Sequence, residues 1–254
     1  MKIVTALSDL NNNGFNDHLK PSCQFHNLHL DVLKIDFKYA THRTKDVMLE
    51  KYLNGVHDDE IIFFSDAYDT IILAGETEIL KKFYAFNAPL VFSAEINCWP
   101  SQDLAQAYPR SDIHFKYLNA GAFIGTAGFI KSVYKRYPPL SFRWDEYRWS
   151  NQYFWHIVYL QNQPDIKLDH HCELFYNTAM PVEKLSAWIG HSDAENKTML
   201  VASEKDRLSQ EILFYKNRIE YLVTNSHPCH LHFPGPISKI LMTGDYFKSI
   251  KFNG

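Results

Sequence analysis

Short apolar runs alternate with segments of helical spacing through the first part of the chain. Ile3–Leu7 and Leu30–Ile35 read as buried strands, and Lys45–Leu53 after them has helical spacing. Ile61-Ile62-Phe63-Phe64 is apolar at every position and stops at Ser65-Asp66. A run apolar on both faces suits a central parallel strand covered on each side by helices. Ile79, Leu80, Phe83 and Phe86 stand at i, i+1, i+4 and i+7, a helical stripe, and Leu90-Val91-Phe92 is another buried strand. This β-α-β-α-β alternation predicts an α/β fold with a parallel sheet in three layers.

Further along, Tyr117–Gly125 is extended and punctuated by glycine, and helices are predicted around Phe129–Tyr134 and Tyr153–Leu160. Ile166–Leu168 is a strand leading into Asp169-His170-His171. The stretch from Lys184 to Arg207 is polar with weak periodicity and reads as a loop or insertion. Leu213–Tyr215 and Ile219–Val223 flank Lys216-Asn217-Arg218 as a hairpin, and Cys229–Phe233 reads as a last strand closed by Pro234-Gly235-Pro236. No internal repeat, low-complexity tract or Pro/Gly-rich linker interrupts the chain, so residues 1–254 are expected to form a single domain.

Composition narrows the function. Hydrophobic residues make up 46% and charged residues 22%, the balance of an ordinary folded chain. The net charge of −3, with Lys and Arg scattered, gives nucleic-acid binding no electrostatic support. No apolar run approaches the ~18–20 residues of a transmembrane helix, which leaves at most peripheral membrane contact, and no leader-like segment precedes the first strand. Cys23, Cys98, Cys172 and Cys229 lie far apart without a CxxC and read as reduced thiols, so a cytoplasmic protein is expected.

The chemistry starts at Ser65-Asp66-Ala67-Tyr68-Asp69, two carboxylates three residues apart directly after a buried strand. In open α/β sheets ligands bind outside the carboxyl ends of strands. A turn there can aim both carboxylates at one hard divalent cation, which also takes phosphate oxygens. The plainer alternative is that Asp66 caps a turn and Asp69 is solvated. His232, with His230 on the same side of a strand, is a second metal-ligand candidate. Glu95 follows a buried strand, Asn119 could hydrogen-bond sugar hydroxyls, and Gly121 permits close approach to a ligand. Asp169-His170-His171-Cys172 does not suit zinc, because such close neighbours do not easily converge on one ion.

Seven segments occur in a recognisable order: Phe64-Ser65-Asp66-Ala67-Tyr68-Asp69, Phe92-Ser93-Ala94-Glu95, Cys98-Trp99-Pro100, Tyr108-Pro109, Tyr117–Gly125, Leu168-Asp169-His170 and Gly235-Pro236. Together they resemble the glycosyltransferase domain of the procollagen lysyl hydroxylase family, over roughly residues 1–180 and 225–245. The resemblance implies a GT-A type fold, a mixed, mainly parallel sheet flanked by helices on both faces. It also implies Mn²⁺, UDP-glucose or UDP-galactose as donor, and a glycan or protein acceptor. Matched residue by residue, Asp66, Asp69 and His232 take the metal positions. Thr5 and Lys45 fall near positions that contact the nucleotide, with Tyr68 against the uridine. Glu95, Trp99 and Asn119 fall on the sugar and acceptor side, and Gly121, Gly235 and Lys239 are further donor-binding candidates.

The chain departs from the family pattern at Trp149-Ser150-Asn151-Gln152-Tyr153-Phe154, where Ser150 and Asn151 replace two acids. Phe233-Pro234 stands where the family has Gly-Asn, and the segment between Ile35 and Lys45 is shorter. Two outcomes remain for catalysis. In a retaining reaction Asn151 holds the sugar by hydrogen bonds; otherwise Glu95, Asp145 or Asp169 supplies a base. The first is preferred, because Asn keeps nearly the shape of the acid it replaces. The alternatives to a hexosyltransferase are a binding pseudoenzyme on the same fold, or a phosphoesterase using Asp66, Asp69 and His232.

Overall fold

A computed structural model describes residues 1–35, 41–109, 113–139, 146–184, 194–244 and 247. The central sheet holds β1 (Lys2–Leu7), β2 (Leu30–Lys34), β3 (Ile61–Ser65), β5 (Leu90–Glu95), β6 (Tyr117–Thr126) and β7 (Ile166–Asp169), in the order β2-β1-β3-β6-β5-β7. Only β6 runs against its neighbours; the other pairings are parallel. The sheet is therefore mixed and mainly parallel, as the family resemblance implies.

The period of two along a strand sends alternate side chains to opposite faces. Ile62 and Phe64 enter a core with Leu49, Leu53, Ile130, Tyr134 and Trp155, while Ile61 and Phe63 enter a second core with Phe15, Leu19, Ile79 and Phe83. The first core belongs to α2 (Thr44–Leu53), α4 (Ala127–Arg136) and α5 (Asn151–Gln161). The second is closed by a π-helical turn at Phe15–Leu19 running into α1 (Lys20–Phe25), and by α3 (Glu76–Ala85). Helices thus cover both faces, which is why the central strands carry no polar stripe.

A second, smaller sheet decides where the site lies. β4 (Thr70–Ile72), β11 (His230–His232) and β8 (Phe175–Asn177) form it, with β11 between the other two. β11 pairs antiparallel with β4, placing His232 opposite Thr70, one residue past Asp69. The polar stretch read as a loop contains α6 (Ala194–Glu211), a correction to the sequence reading. Its inner face is built from Glu204, Arg207 and Glu211 around buried Leu208, so helical spacing is present but is carried by charged residues. The hairpin is present as β9 (Ile212–Tyr215) and β10 (Arg218–Tyr221), and α7 (Pro236–Thr243) follows β11. Among the described residues no helix is long and apolar enough to cross a membrane.

Candidate active site

β3 ends at Ser65, so Asp66 stands at the carboxyl end of a central strand, its N–H donating to the Gly121 carbonyl at 2.7 Å. The chain turns through Ala67-Tyr68-Asp69 and re-enters the second sheet at Thr70. Thr70 Oγ1 donates to the Asp66 carbonyl at 2.6 Å, closing that turn. β11 brings His232 alongside: its Nε2 is 4.0 Å from Asp66 Oδ2 and 3.7 Å from Asp69 Oδ1. One ligand atom from each of the three residues lies within 4.8 Å of the others. Ligand atoms ~2.0–2.6 Å from a common ion stand about 3–5 Å apart, so the set fits a single metal ion.

The neighbours fix the tautomer of His232. Asn119 Oδ1 accepts the Gly121 N–H at 2.8 Å, while its Nδ2 donates to Glu95 Oε1 at 3.0 Å. Both contacts assign the amide orientation, so the imidazole Nδ1 at 3.2 Å from Oδ1 carries the proton and donates. In the neutral ring this places the Nε2 lone pair toward the two aspartates, the arrangement a metal-binding histidine needs. Asn119 is buried and its amide contacts Glu95 and His232, so it positions both at the wall of the cleft that it lines.

Gly121 shows the same tightness. A Cβ there would lie 2.2 Å from His232 Cε1 and 2.8 Å from Nδ1. The close approach expected of this glycine is therefore to the imidazole. A bulge in β6 makes it possible: Phe92 pairs with Phe123 and Ser93 with Asn119, leaving Gly121 without a partner on β5. Gly121→Ala is expected to cost about 1–3 kcal/mol of stability by overpacking. Urea unfolding checks this, and an unchanged midpoint would show that the imidazole has room to move.

Two lysines balance the carboxylates. Lys45 Nζ, from the first turn of α2, is 2.5 Å from Asp66 Oδ1, and Lys239 Nζ, from α7, is 3.0 Å from Asp69 Oδ2. Burial pushes the Asp69 carboxyl up, but the His232 ring in its protonated form, together with Lys239, more than offsets this and holds it well below the usual carboxylate range. Gly235 opens α7 with φ +82°, a left-handed conformation that favours glycine. His230 packs on Phe63 and Phe175 with Nε2 3.0 Å from Ser65 Oγ, and burial holds it neutral. It shares a strand with His232 but has a structural role.

These groups surround a cleft of about 360 Å³. Asp66, Asp69, His232, Lys45, Lys239 and Gly235 line it, as do Glu95, Trp99, Asn119, Gly121 and Asn151. Glu95 Oε1 accepts from Gln152 Nε2 at 2.5 Å as well as from Asn119, and burial pushes its carboxyl up to about 7. Thr5 and Tyr68 do not line the cleft. The buried Thr5 hydroxyl donates to the Ser65 carbonyl at 2.7 Å, and the Tyr68 hydroxyl accepts the N–H groups of Ser8 and Asp9 at 2.9 and 2.7 Å.

The alternative bases fare differently. Asp169 is away from the cleft, where its carboxylate accepts the N–H groups of Glu173, Leu174 and Phe175 at 2.9, 2.7 and 2.8 Å; it ties a turn and is not placed as a base. Asp145 lies outside the described residues. Ser150 is the N-cap of α5, its hydroxyl accepting the Tyr153 N–H at 3.1 Å. The sequence reading missed His42, Asn97, Met180, Val182 and Ser238 as lining residues, and Gln152 as a partner of Glu95. Gln152 was within reach, being next to Asn151 in the first turn of a helix; Met180 and Val182 carry no sequence signal.

The family described as the PLOD GT domain matches residues 1–208; His232, Gly235 and Lys239 lie beyond that match. The uncharacterized protein R699 of Acanthamoeba polyphaga mimivirus is 33% identical over 207 residues, 80% of this chain and 37% of that protein. The multifunctional procollagen lysine hydroxylase and glycosyltransferase LH3 of Rattus norvegicus is 35% identical over 133 residues, 51% of this chain and 17% of that one. The chain thus spans well under half the length of these curated relatives. Among solved structures, a glycosyltransferase involved in the glycosylation of the major capsid of PBCV-1 is similar with TM-score 0.50 and 10% identity, over 96% of this chain and 98% of that one. The shared fold is the GT-A type.

Proposed function

The chain belongs to the PLOD glycosyltransferase-domain family, and from that premise we propose that it is a metal-dependent hexosyltransferase. It takes UDP-glucose or UDP-galactose as donor and a hydroxyl of a glycan or protein as acceptor. The observation that carries this reading is the convergence of Asp66, Asp69 and His232 beside two lysines and the start of a helix. Two oxygens and one imidazole nitrogen form a donor set of borderline softness that suits Mn²⁺ better than Ca²⁺ or Mg²⁺. When bound there, the ion would act as a Lewis acid on the charge that gathers on the leaving diphosphate.

The charges around the site support a paired requirement for ion and nucleotide. Asp66 and Asp69 are balanced by Lys45 and Lys239, so a divalent cation adds two uncompensated positive charges unless a diphosphate accompanies it. The first turn of α7 adds backbone N–H groups that favour an anion. UDP affinity is therefore expected to rise at least about tenfold, or ~1.4 kcal/mol, in Mn²⁺ over chelator, with the reciprocal gain for Mn²⁺. Titration calorimetry tests this; UDP binding of equal strength in chelator would remove the metal from the account.

In the transfer step the acceptor oxygen bonds to C1 of the hexose, and the bond from C1 to the diphosphate oxygen breaks with its electron pair leaving on UDP. The acceptor proton passes to the departing phosphate oxygen on the same face, so configuration is retained. Asn151, buried in the first turn of α5 and lining the cleft, holds the hexose. Asn151→Ala should lower kcat about tenfold or more while UDP affinity stays within about twofold, because its contact is to the sugar and not to the nucleotide.

A second reading has one observation in its favour. Glu95 has a carboxyl pushed up to about 7 by burial, the range suited to a general base. Glu95→Gln separates the two: removal of a true base costs about 10²–10⁴ in rate, whereas the retaining reading expects less than about tenfold. A large loss together with an inverted product would move the assignment to Glu95.

A further inference from the structure

One wall of the cleft is made of irregular chain. β8 ends at Asn177, and residues 178–181 continue without regular structure. Ala179, Met180 and Val182 of this strap line the cleft. Irregular backbone keeps one place only where its polar groups are paired. At the near end, the Thr178 N–H and hydroxyl both donate to the His232 carbonyl, at 2.9 and 3.1 Å. The Thr178 carbonyl accepts from Ser238 Oγ at 2.9 Å, and the Ala179 carbonyl from Arg207 Nη2 at 3.2 Å. Arg207 is itself fixed by Glu204 and Glu211 of α6, at 2.8 Å each.

The far end is held by Asn97. Its Nδ2 donates to the Met180 carbonyl at 2.9 Å, and its Oδ1 accepts the Val182 N–H at 2.9 Å. A carbonyl needs a donor and an N–H needs an acceptor, so both contacts assign the same amide orientation. Asn97 lies two residues past Glu95, and Glu95 is joined to His232 through Asn119. The strap is therefore tied at the metal end by Thr178 and at the Glu95 side by Asn97. Asn97 falls between Phe92-Ser93-Ala94-Glu95 and Cys98-Trp99-Pro100 and belongs to neither of these family-like segments.

Resting on the transferase reading, we propose that Asn97 is a positioning residue that holds Met180 and Val182 as a fixed wall against the hexose of the donor. Methionine has three rotatable bonds and does not define a surface by itself, so the wall is set by where its backbone is pinned. The two ends of the strap are held separately. Removing the Asn97 amide leaves the Thr178 end on His232 and frees the stretch beside the hexose. A wall that drifts lets the sugar turn out of line for transfer, which costs rate, while the metal and the two lysines still hold the diphosphate. Asn97 has one other route to the reaction. Burial pushes the Glu95 carboxyl up, and Asn97 is among the groups that oppose this. The routes differ in signature: the wall acts on the sugar at every pH, whereas an altered Glu95 moves the pH profile.

UDP release from UDP-glucose and UDP-galactose by the full chain in Mn²⁺, beside calorimetric titration with UDP and Mn²⁺, tests this. Asn97→Ala should lower kcat/KM for the donor at least about tenfold, with UDP affinity within about twofold of the parent and an unshifted pH profile. Asn97→Ser, polar but too short to reach both groups, should do the same. Met180→Ala removes a wall side chain that Asn97 positions, so Asn97→Ala added to it should cost no more than about threefold further. Unchanged kcat/KM, full additivity of the two changes, a UDP affinity that falls as far as turnover, or a displaced pH profile overturns the assignment and leaves the transferase standing. Parent protein that releases UDP from neither donor overturns both.

Discussion

Asp69→Ala is expected to abolish Mn²⁺-dependent UDP binding, a loss of at least about 100-fold, or ~2.7 kcal/mol. Asp69 is buried, its Oδ1 faces His232 Nε2 at 3.7 Å, and its Oδ2 pairs with Lys239 at 3.0 Å. Alanine removes one ligand from a set of three and also leaves Lys239 without its carboxylate. A metal bound by Asp66 and His232 alone has lost one of its two negative charges, so the ion loses both a bond and charge balance. Lys239 can still attract phosphate, so a weak residual affinity that does not respond to Mn²⁺ is expected. Titration in Mn²⁺ and in chelator reads both quantities; unchanged affinity with unchanged metal dependence would take Asp69 out of the site.

Asp46→Asn should be the most destabilising single change in the cleft's support, at about 3–5 kcal/mol. Asp46 is buried in the first turn of α2, with Oδ2 3.3 Å from Arg43 Nε and Oδ1 accepting from Trp155 Nε1 at 2.9 Å. The Tyr134 hydroxyl reaches Oδ1 at 3.4 Å. Arg43 also donates to the Pro139 carbonyl at 2.7 Å and lies over the Phe154 ring at 4.2 Å. Replacing the carboxylate removes the negative charge that lies 3.3 Å from a buried guanidinium, the costly side of disturbing a buried pair. The effect reaches function because Lys45 is one residue from Asp46 on the same helix, and α5, which carries Asn151, holds Trp155. Denaturant unfolding should show the loss, with a weaker UDP affinity at temperatures where the variant is still folded. A variant as stable as the parent would mean that Arg43 finds another partner.

The parts of the fold legible in the sequence were those whose burial shows as pattern. β1, β3 and β5 are apolar runs covered on both faces, and α3 carries its stripe at Ile79 and Phe83. β4 and β8 were not read, because strands of three residues give no period to follow. α6 was misread because Glu204, Arg207 and Glu211 occupy its inner face and satisfy one another by ion pairs. The candidate site divides in the same way. Asp66 and Asp69 stand out locally, at the end of a buried run. His232 is far away in sequence, and only the register of β11 on β4 brings it to the pair. Geometry alone revealed that Asn119 holds His232 and Glu95, and that Ser150 caps a helix.

The central claim is that these residues transfer a hexose from a UDP-sugar with the help of a metal ion. Release of UDP from UDP-glucose and UDP-galactose, measured in Mn²⁺ and again after chelation, tests it most directly. The account predicts release from at least one donor, loss of that release on chelation, and its return when Mn²⁺ is restored. Absence of release from both donors in saturating Mn²⁺, with or without a glycoside acceptor, would contradict it.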